Sequence, residues 1–275
     1  MTTRTEAELP FFFGDRHELF GIYHAAARTA GKAALLCAPL GQDQIRCHRL
    51  YRQLAHALAS AGIPVLRFDC YGCGDSLGES AEVRWDRCIS DTVTAANELR
   101  ARSGVDRVLA FGARLGGSLA LAAAPAAHLA DVVVWDPVVD GHAYVATLDA
   151  MQDALRQDTR RFIRPRPAEL AGEQWLGFAV NPELREQING LAADWETTPS
   201  LLLDSLPQPS AQTWKALAMD ETSIQRLEPP TPWDDLAKLE VAILSHSLVQ
   251  AVTAHVQAVS APVRALNAHV LGAHR

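Results

Sequence analysis

An arginine occupies the position in this chain where the surrounding glycines would predict a nucleophile. Residues 108–111 form an apolar run, and residues 112–116 (GARLG) follow it directly, with Arg114 at the centre. The pattern Gly-x-Ser-x-Gly at a strand-to-helix turn presents a serine for attack on an acyl group, and its glycines are needed because the turn is tight. Arginine stays protonated and cannot attack a carbonyl. The sequence therefore predicts the turn but makes ordinary acyl-serine chemistry unavailable.

Two serines elsewhere are weaker candidates for a nucleophile. Residues 74–78 read GDSLG, with Ser76 at the centre, but polar and acidic residues follow instead of a small-residue helix. We expect Ser76 to be a turn serine that hydrogen-bonds nearby backbone. Ser118 lies about one helical turn beyond Arg114, inside the predicted helix rather than at an exposed turn.

Carboxylates and one histidine could complete a catalytic set with Arg114. Asp204 and Asp136 each end an apolar segment, and strand-end carboxylates lie at the edge where sites form. A histidine is expected after the last strand, but residues 228–235 contain none. His246, at the start of the last predicted helix, is the nearest candidate base. The alternative is that His246 is a surface residue at a helix start.

The groups that would bind an acyl oxygen or an anion are better represented. The candidate ligand-binding residues are Leu40, Gly41, Gln42, Leu115 and Asp136. Backbone N–H groups at a helix start favour negative charge, and the planar guanidinium of Arg114 suits a carboxylate or a phosphate. The alternative is that Arg114 pairs with Asp136 or Asp204 and fills the cavity. Arg46, close after this turn, is predicted to lie on a solvated first helical turn, with a pocket-facing position near Asp43 as the alternative.

Short apolar runs alternate with helical patterns along the chain. The predicted strands are residues 11–13, 19–24, 33–38, 65–69, 108–111, 132–136 and 200–204, with a weaker one at 222–227. The predicted helices are residues 46–61, 85–102, 117–126 and 247–259. This alternation predicts an α/β fold with a mostly parallel central sheet and helices on both faces.

A helical stretch rich in Arg, Gln and Leu interrupts this alternation between residues 141 and 196. We interpret it as a helical cap, which divides the chain into core 1–140, cap 141–198, core 199–266 and a loose tail 267–275. One basic cluster lies in the cap and predicts a face that guides an anionic ligand or meets an acidic partner, with a solvated helix surface as the alternative: Arg156, Arg160, Arg161, Arg164 and Arg166. Trp175 and Phe178 are expected in the core of the cap, with its underside as the alternative.

Composition excludes several functional classes. The formal net charge is −7, so nucleic acid is not an expected partner. No apolar run is long enough to span a bilayer and the N-terminus lacks a signal-peptide pattern, so we expect a cytoplasmic protein. Five cysteines predict free buried thiols, and Cys70-x-x-Cys73 has no second pair to complete a metal site. Neither a metal nor a cofactor is predicted.

Three motifs together resemble a known family. Residues 67–78 (RFDCYGCGDSLG), 112–116 (GARLG) and 135–141 (WDPVVDG) resemble bacterial α/β-hydrolases of the serine-aminopeptidase-like group. The chain is most similar to the hydrolase-like proteins associated with the exosortase A system, in which the same turn reads G-x-R-L-G. The resemblance covers about the first 150 residues and implies the α/β-hydrolase fold, with residues 112–116 as the nucleophile elbow. It implies an activity much less, because the look-alikes are named hydrolases largely by fold.

Three functions from different classes fit these observations. The favoured one is an α/β-hydrolase-fold protein with a degenerate triad that binds a small anionic or acyl-bearing ligand or supports a related partner enzyme, as a homo- or hetero-oligomer. The second is an ester, thioester or amide hydrolase in which His246 and Asp204 activate water and Arg114 polarises the carbonyl. The third is a structural subunit with a filled pocket. The sequence leaves open whether the protein is an enzyme.

Overall fold

The computed structural model describes residues 8–158, 173–207 and 211–259. Its strands are β1 (Leu9–Phe13), β2 (Leu19–His24), β3 (Ala33–Cys37), β4 (Val65–Phe68), β5 (Val108–Ala113), β6 (Asp131–Trp135), β7 (Gln174–Trp175), β8 (Phe178–Ala179), β9 (Leu201–Asp204) and β10 (Ile224–Arg226). Its α-helices are α1 (Gln42–Ser60), α2 (Trp85–Ser103), α3 (Leu115–Ala123), α4 (Gly141–Gln157), α5 (Pro182–Asn189), α6 (Ala211–Trp214) and α7 (His246–Ala258).

Eight of these strands form one sheet in the order β1-β2-β4-β3-β5-β6-β9-β10. Strand β2 runs antiparallel to β1 and β4, and the pairs from β4 through to β10 are parallel. The central strands are apolar and buried along their whole length, which is typical of strands covered by helices on both faces. The predicted fold class, a mostly parallel sheet between helices, is confirmed.

The two faces of the sheet support separate cores. Because neighbouring side chains of a strand point to opposite faces, Leu35 packs with residues of α2 and α3, whereas Leu36 packs with residues of α1 and α7. Because β3, β5, β6 and β9 are parallel, their carboxyl ends lie at one edge of the sheet. Helices α1 and α3 begin at the same edge. This edge is where ligands bind in open parallel sheets.

Two helices at the sheet edge begin at least two residues earlier than predicted. Helix α1 begins at Gln42 instead of residue 46, and α3 begins at Leu115 instead of residue 117. In each case the residue before the helix has a positive φ, 60° at Gly41 and 49° at Arg114, so the chain reverses within one residue and enters the helix directly. Both corrections bring helix N-termini to the sheet edge.

The insertion after β6 was predicted to be helical, but it also contains two short strands. Helix α4 is followed by the antiparallel pair β7-β8 and then by α5. Leu176 and Gly177 join the two short strands, and both have positive φ, as a two-residue hairpin turn of type I′ requires. Of the predicted basic cluster, Arg156 lies within the described residues and pairs with Asp153, while the other four arginines and the tail 267–275 lie outside them. Among the helices that the structure describes, none has the length and apolar character needed to cross a membrane.

Candidate functional site

The turn from β5 into α3 has the geometry of a nucleophile elbow with arginine at its apex. Arg114 has φ 49° and ψ −127°, a strained conformation for a residue with a side chain. A Cβ on Gly112 would lie 2.1 Å from the carbonyl oxygen of Gly116, and one on Gly116 would lie 2.2 Å from that of Cys37. Because these neighbours are backbone atoms, both glycines are required by packing.

The guanidinium of Arg114 is buried and paired. Its Nε lies 3.7 Å from Oδ2 of Asp43, and its Nη2 lies 3.5 Å from Oδ1 of Asp234. The rings of Tyr144 and Trp233 have centroids 5.2 and 5.3 Å from its central carbon. Burial by itself would lower the pKa of Arg114, but the carboxylates outweigh it and raise the pKa, so the side chain is charged. Pairing with a carboxylate was one of the two alternatives, although the partners differ from the predicted ones.

A second arginine completes this group of charges. Arg46 is 2% exposed, so the predicted solvated position is wrong. Its Nη1 donates to the carbonyl of Trp233 at 2.7 Å and lies 3.7 Å from Oδ1 of Asp43. Burial raises the pKa of the Asp43 carboxyl, and the two arginines only partly offset this rise. We call Asp43, Arg46, Arg114 and Asp234 the elbow charge cluster.

Asp136 lies at the end of β6 but is committed to other partners. It is fully buried and accepts hydrogen bonds from the backbone N–H of Ser205 at 2.8 Å, from the Ser205 hydroxyl and from Trp233 Nε1 at 2.7 Å. Burial raises the pKa of Asp136, and these donors counteract it. Three donors occupy this carboxylate, and Asp136 does not line the cavity described below.

Asp204 pairs with an arginine outside the elbow charge cluster, and His246 lies at a cavity that Arg46 also lines. Oδ2 of Asp204 pairs with Nη1 of Arg226 at 3.1 Å, at the end of β9. His246 is exposed at the start of α7 and lines a cavity of 380 Å³ beside the proline-rich segment 228–232. Asp204 is not part of that lining. The two residues therefore do not line this cavity together, and their joint activation of water stays a prediction.

A larger cavity of 450 Å³ lies between the elbow and the insertion. We call it the cap cavity. Its core side includes four of the predicted ligand-binding residues together with one unpredicted acid: Leu40, Gly41, Gln42, Asp43 and Leu115. Its far wall is mostly apolar and is made by the insertion: Tyr144, Leu148, Trp175, Leu176, Phe178, Val180, Leu184 and Ile188. Trp175 and Phe178 thus form part of the underside of the cap, and Trp175 also belongs to the main core.

Hydrogen bonds hold the cap wall in place. Trp175 Nε1 donates to Oδ1 of Asp149 at 2.9 Å, and Arg185 Nη1 donates to the same atom at 2.8 Å. On the core side, Asn181 Nδ2 donates to the carbonyls of Ala81 and Val83. The cap is therefore attached to the sheet domain through side chains as well as through its connecting segments.

The remaining serine and cysteine candidates have structural environments. The Ser76 hydroxyl accepts from the N–H of Phe20 at 2.8 Å and donates to the carbonyl of Asp69 at 2.6 Å, as expected for a turn serine. The Ser118 hydroxyl donates to the carbonyl of Val138 at 2.7 Å inside α3. The five cysteines are free thiols, and burial raises the pKa of Cys73, which borders the cap cavity.

One group of side chains has the spacing of a metal site. The ligand atoms of Glu8, His24 and His56 lie within 4.8 Å of one another. However, Arg67 Nε donates to Nε2 of His24 at 3.1 Å, so a neutral His24 ring carries its proton on Nδ1, the atom that faces Glu8. A metal would have to displace that proton, and this group is therefore a poor fit to a divalent cation.

Sequence reasoning missed three residues that contact Arg114. Asp43 had a usable signal, because it stands two residues after Gly41 and three before Arg46, the spacing of an ion pair on a first helical turn. Tyr144 and Asp234 had none, since the fold brings both to Arg114 from segments distant in sequence.

Comparison with known proteins agrees with this geometry. Residues 46–174, just under half of the chain, match the family model described as serine aminopeptidase, S33. A thermostable carboxyl esterase from Bacillus coagulans aligns over 91% of this chain and 97% of its own, with TM-score 0.58 and 12% identity. Est1E from Butyrivibrio proteoclasticus aligns over 91% and 98%, with TM-score 0.58 and 13% identity. Alpha/beta hydrolase domain-containing protein 10 from mouse aligns over 90% and 98%, with TM-score 0.55 and 16% identity.

At identities of 12–16%, these solved structures show that the chain shares their fold. They do not show that it shares their activities. No curated protein sequence matches the chain. The strand order, the glycine-flanked elbow and these structural similarities together show that this chain has the α/β-hydrolase fold.

Proposed function

We propose that the protein binds an acyl-bearing ligand in the cap cavity and does not turn it over by acyl-serine chemistry. The supporting observation is that an open, mostly apolar cavity of 450 Å³ adjoins the elbow while position 114 carries a buried, paired arginine. Such a volume lies within the usual range for small-molecule sites. An open cavity speaks against a purely structural subunit with a filled pocket.

The acyl-bearing class is favoured over an anionic one by the position of Arg114. Its guanidinium is enclosed by two carboxylates and two rings, and it is not part of the described lining of the cap cavity. The elbow charge cluster contains two positive and two negative side chains, so it offers no net positive charge. The apolar wall of the cap suits a hydrocarbon chain, and the Leu115 N–H at the start of α3 suits its carbonyl oxygen.

A turnover test separates this proposal from the hydrolase alternative. With short-chain p-nitrophenyl esters and acyl thioesters, we expect the purified protein to release product at the buffer rate. Arg114→Ser should stay within about tenfold of that rate, because general-base assistance contributes about 10²–10⁴ and His246 lies at another cavity. Turnover by the parent protein that disappears in His246→Ala would contradict the proposal.

A binding test addresses the cavity directly. We expect methyl octanoate to bind the parent protein in calorimetry and to bind Ala179→Trp at least about tenfold more weakly, because Ala179 lines the cap cavity and an indole would occupy it. Ala150→Trp is the matched control, since Ala150 is an exposed alanine of α4 outside that lining. Equal affinities in both tryptophan variants would place the ligand elsewhere and overturn the assignment of the cavity.

A further inference from the structure

The cap cavity has one formally charged side chain in its described lining, that of Asp43. The two arginines that pair with Asp43 are not in that lining. Among the charges of the elbow charge cluster, a ligand in the cavity meets the negative one first. A ligand carboxylate or phosphate would therefore face a like charge in a partly desolvated site.

Asp43 also retains the ability to accept hydrogen bonds. Its two oxygens lie 3.7 Å from the nearest nitrogens of Arg46 and Arg114, which exceeds the length of a direct N–H···O bond. The side chain of Asp43 is 13% exposed, and it borders the cavity from the first turn of α1. A carboxylate has about four lone-pair sites, so these two ion pairs leave capacity for a donor on a bound ligand.

Two glutamine side chains that border the cavity beside Asp43 already donate hydrogen bonds to other parts of the protein. Gln42 Nε2 donates to the carbonyl of Leu239 at 2.8 Å, and Gln44 Nε2 donates to Oδ1 of Asp69 at 2.8 Å. Leu115 lines the cavity and is the first residue of α3, so its N–H has no acceptor within the helix. The elbow end therefore combines a backbone donor with a carboxylate acceptor.

We propose that the cap cavity selects uncharged carboxamides, with Asp43 as the residue that determines this selectivity. The carbonyl oxygen of the ligand accepts from the Leu115 N–H, and its amide N–H donates to the Asp43 carboxylate. An ester of the same chain offers the acceptor but no donor. A carboxylate of the same chain offers no donor and adds repulsion. This inference rests on the proposed function, because it names the ligand class of the same cavity.

Three ligands with one chain test the proposal: octanamide, methyl octanoate and octanoate, each measured by calorimetry at pH 7. We expect octanamide to bind about tenfold more tightly than methyl octanoate, as one hydrogen bond to a charged acceptor would produce. Octanoate should bind about 100-fold more weakly than octanamide. This comparison needs only the parent protein, so it does not depend on whether a variant folds.

Asp43→Asn tests the residue itself, because it removes the charge and nearly keeps the shape. We expect octanoate to gain at least about tenfold in affinity relative to octanamide. Asp234→Asn is the matched control: it removes the other carboxylate partner of Arg114, which lies outside the cavity lining, and should leave the ratio within about twofold. Thermal unfolding of both variants checks that they are folded.

The outcomes separate the two proposals. Equal binding of all three ligands, or an unchanged ratio in a folded Asp43→Asn, overturns the selectivity of Asp43 while binding in the cavity stands. Binding of none of the three by the parent protein overturns the proposed function itself.

Discussion

At the scale of single residues, the elbow holds an arginine in a strained backbone conformation. Arg114 keeps a positive φ because Gly112 and Gly116 allow β5, α3 and the end of β3 to approach within backbone contact. The side chain at the apex does not create this conformation, since its surroundings would impose it on a serine as well. The conformation of the elbow therefore does not depend on which side chain stands at its apex.

Gly116→Ala tests this packing. Its Cβ would lie 2.2 Å from the backbone oxygen of Cys37, and backbone cannot rotate away, so we expect the free energy of unfolding to fall by about 3 kcal/mol or more. Gly190→Ala is the control, because its nearest new neighbour is at 3.5 Å and its φ is −82°. Urea unfolding measures both variants, and a loss below about 1 kcal/mol for Gly116→Ala would show that the elbow can relax.

At the scale of elements, the insertion forms a wall for the cavity because its pieces are fastened to one another. Asp149 on α4 holds the indole of Trp175 in β7 and the guanidinium of Arg185 on α5. Gln152 on α4 accepts the N–H of Leu176 at 2.7 Å at the hairpin turn. Short strands such as β7 and β8 are too small to be stable alone, so these side chains fix their position.

Asp149→Ala should loosen this wall. We expect it to lower the free energy of unfolding by about 1–2 kcal/mol, because Trp175 Nε1 loses its acceptor, and to weaken binding of methyl octanoate several-fold. Asp153→Ala on the same helix is the control, since its side chain is 62% exposed and its pair with Arg156 contributes little. Calorimetry and urea unfolding of both variants give the comparison. Unchanged ligand affinity in Asp149→Ala would show that the wall is held by apolar packing alone.

At the scale of the whole molecule, a buried histidine and an arginine lie beside each other in β2 and β4, away from the elbow. His24, at the end of β2, is fully buried and accepts a hydrogen bond from Arg67. Burial is the largest cause of its altered pKa, followed by the positive charge of Arg67, and together they lower the pKa from 6.5 to about 4. The folded protein therefore keeps this histidine neutral.

This histidine predicts how global stability depends on pH. Between pH 6.5 and about 4 the unfolded chain binds a proton at His24 that the folded chain does not, so its contribution is present above pH 6.5 and is lost as the pH falls towards 4. The full difference corresponds to about 3 kcal/mol. We expect His24→Phe to show a shallower decline of the free energy of unfolding than the parent protein across this range. Equal slopes in urea unfolding at several pH values would contradict the assignment.

Much of the scaffold could be predicted from the sequence because it depends on local patterns. Apolar runs of four to six residues, helical periodicity and the glycines at 112 and 116 indicated the sheet, the helices and the elbow, each within a few residues of its position. The departure from serine at position 114 was also plain from sequence, and it bears directly on the chemistry. Helix starts at Gln42 and Leu115 were misplaced because a single residue with positive φ leaves little trace in composition.

The sequence by itself thus determined the fold class, the elbow and the lack of a serine at its apex. Only the tertiary structure decided which partners those residues have. Arg114 meets Asp43 and Asp234 instead of Asp136 or Asp204, because Ser205 and Trp233 already hold Asp136 and Arg226 holds Asp204. Charge pairing acts over a few ångströms between segments far apart in the chain, so no spacing pattern encodes it. The same is true of the cap cavity, whose walls come from the sheet edge and the insertion and exist only once the two have packed.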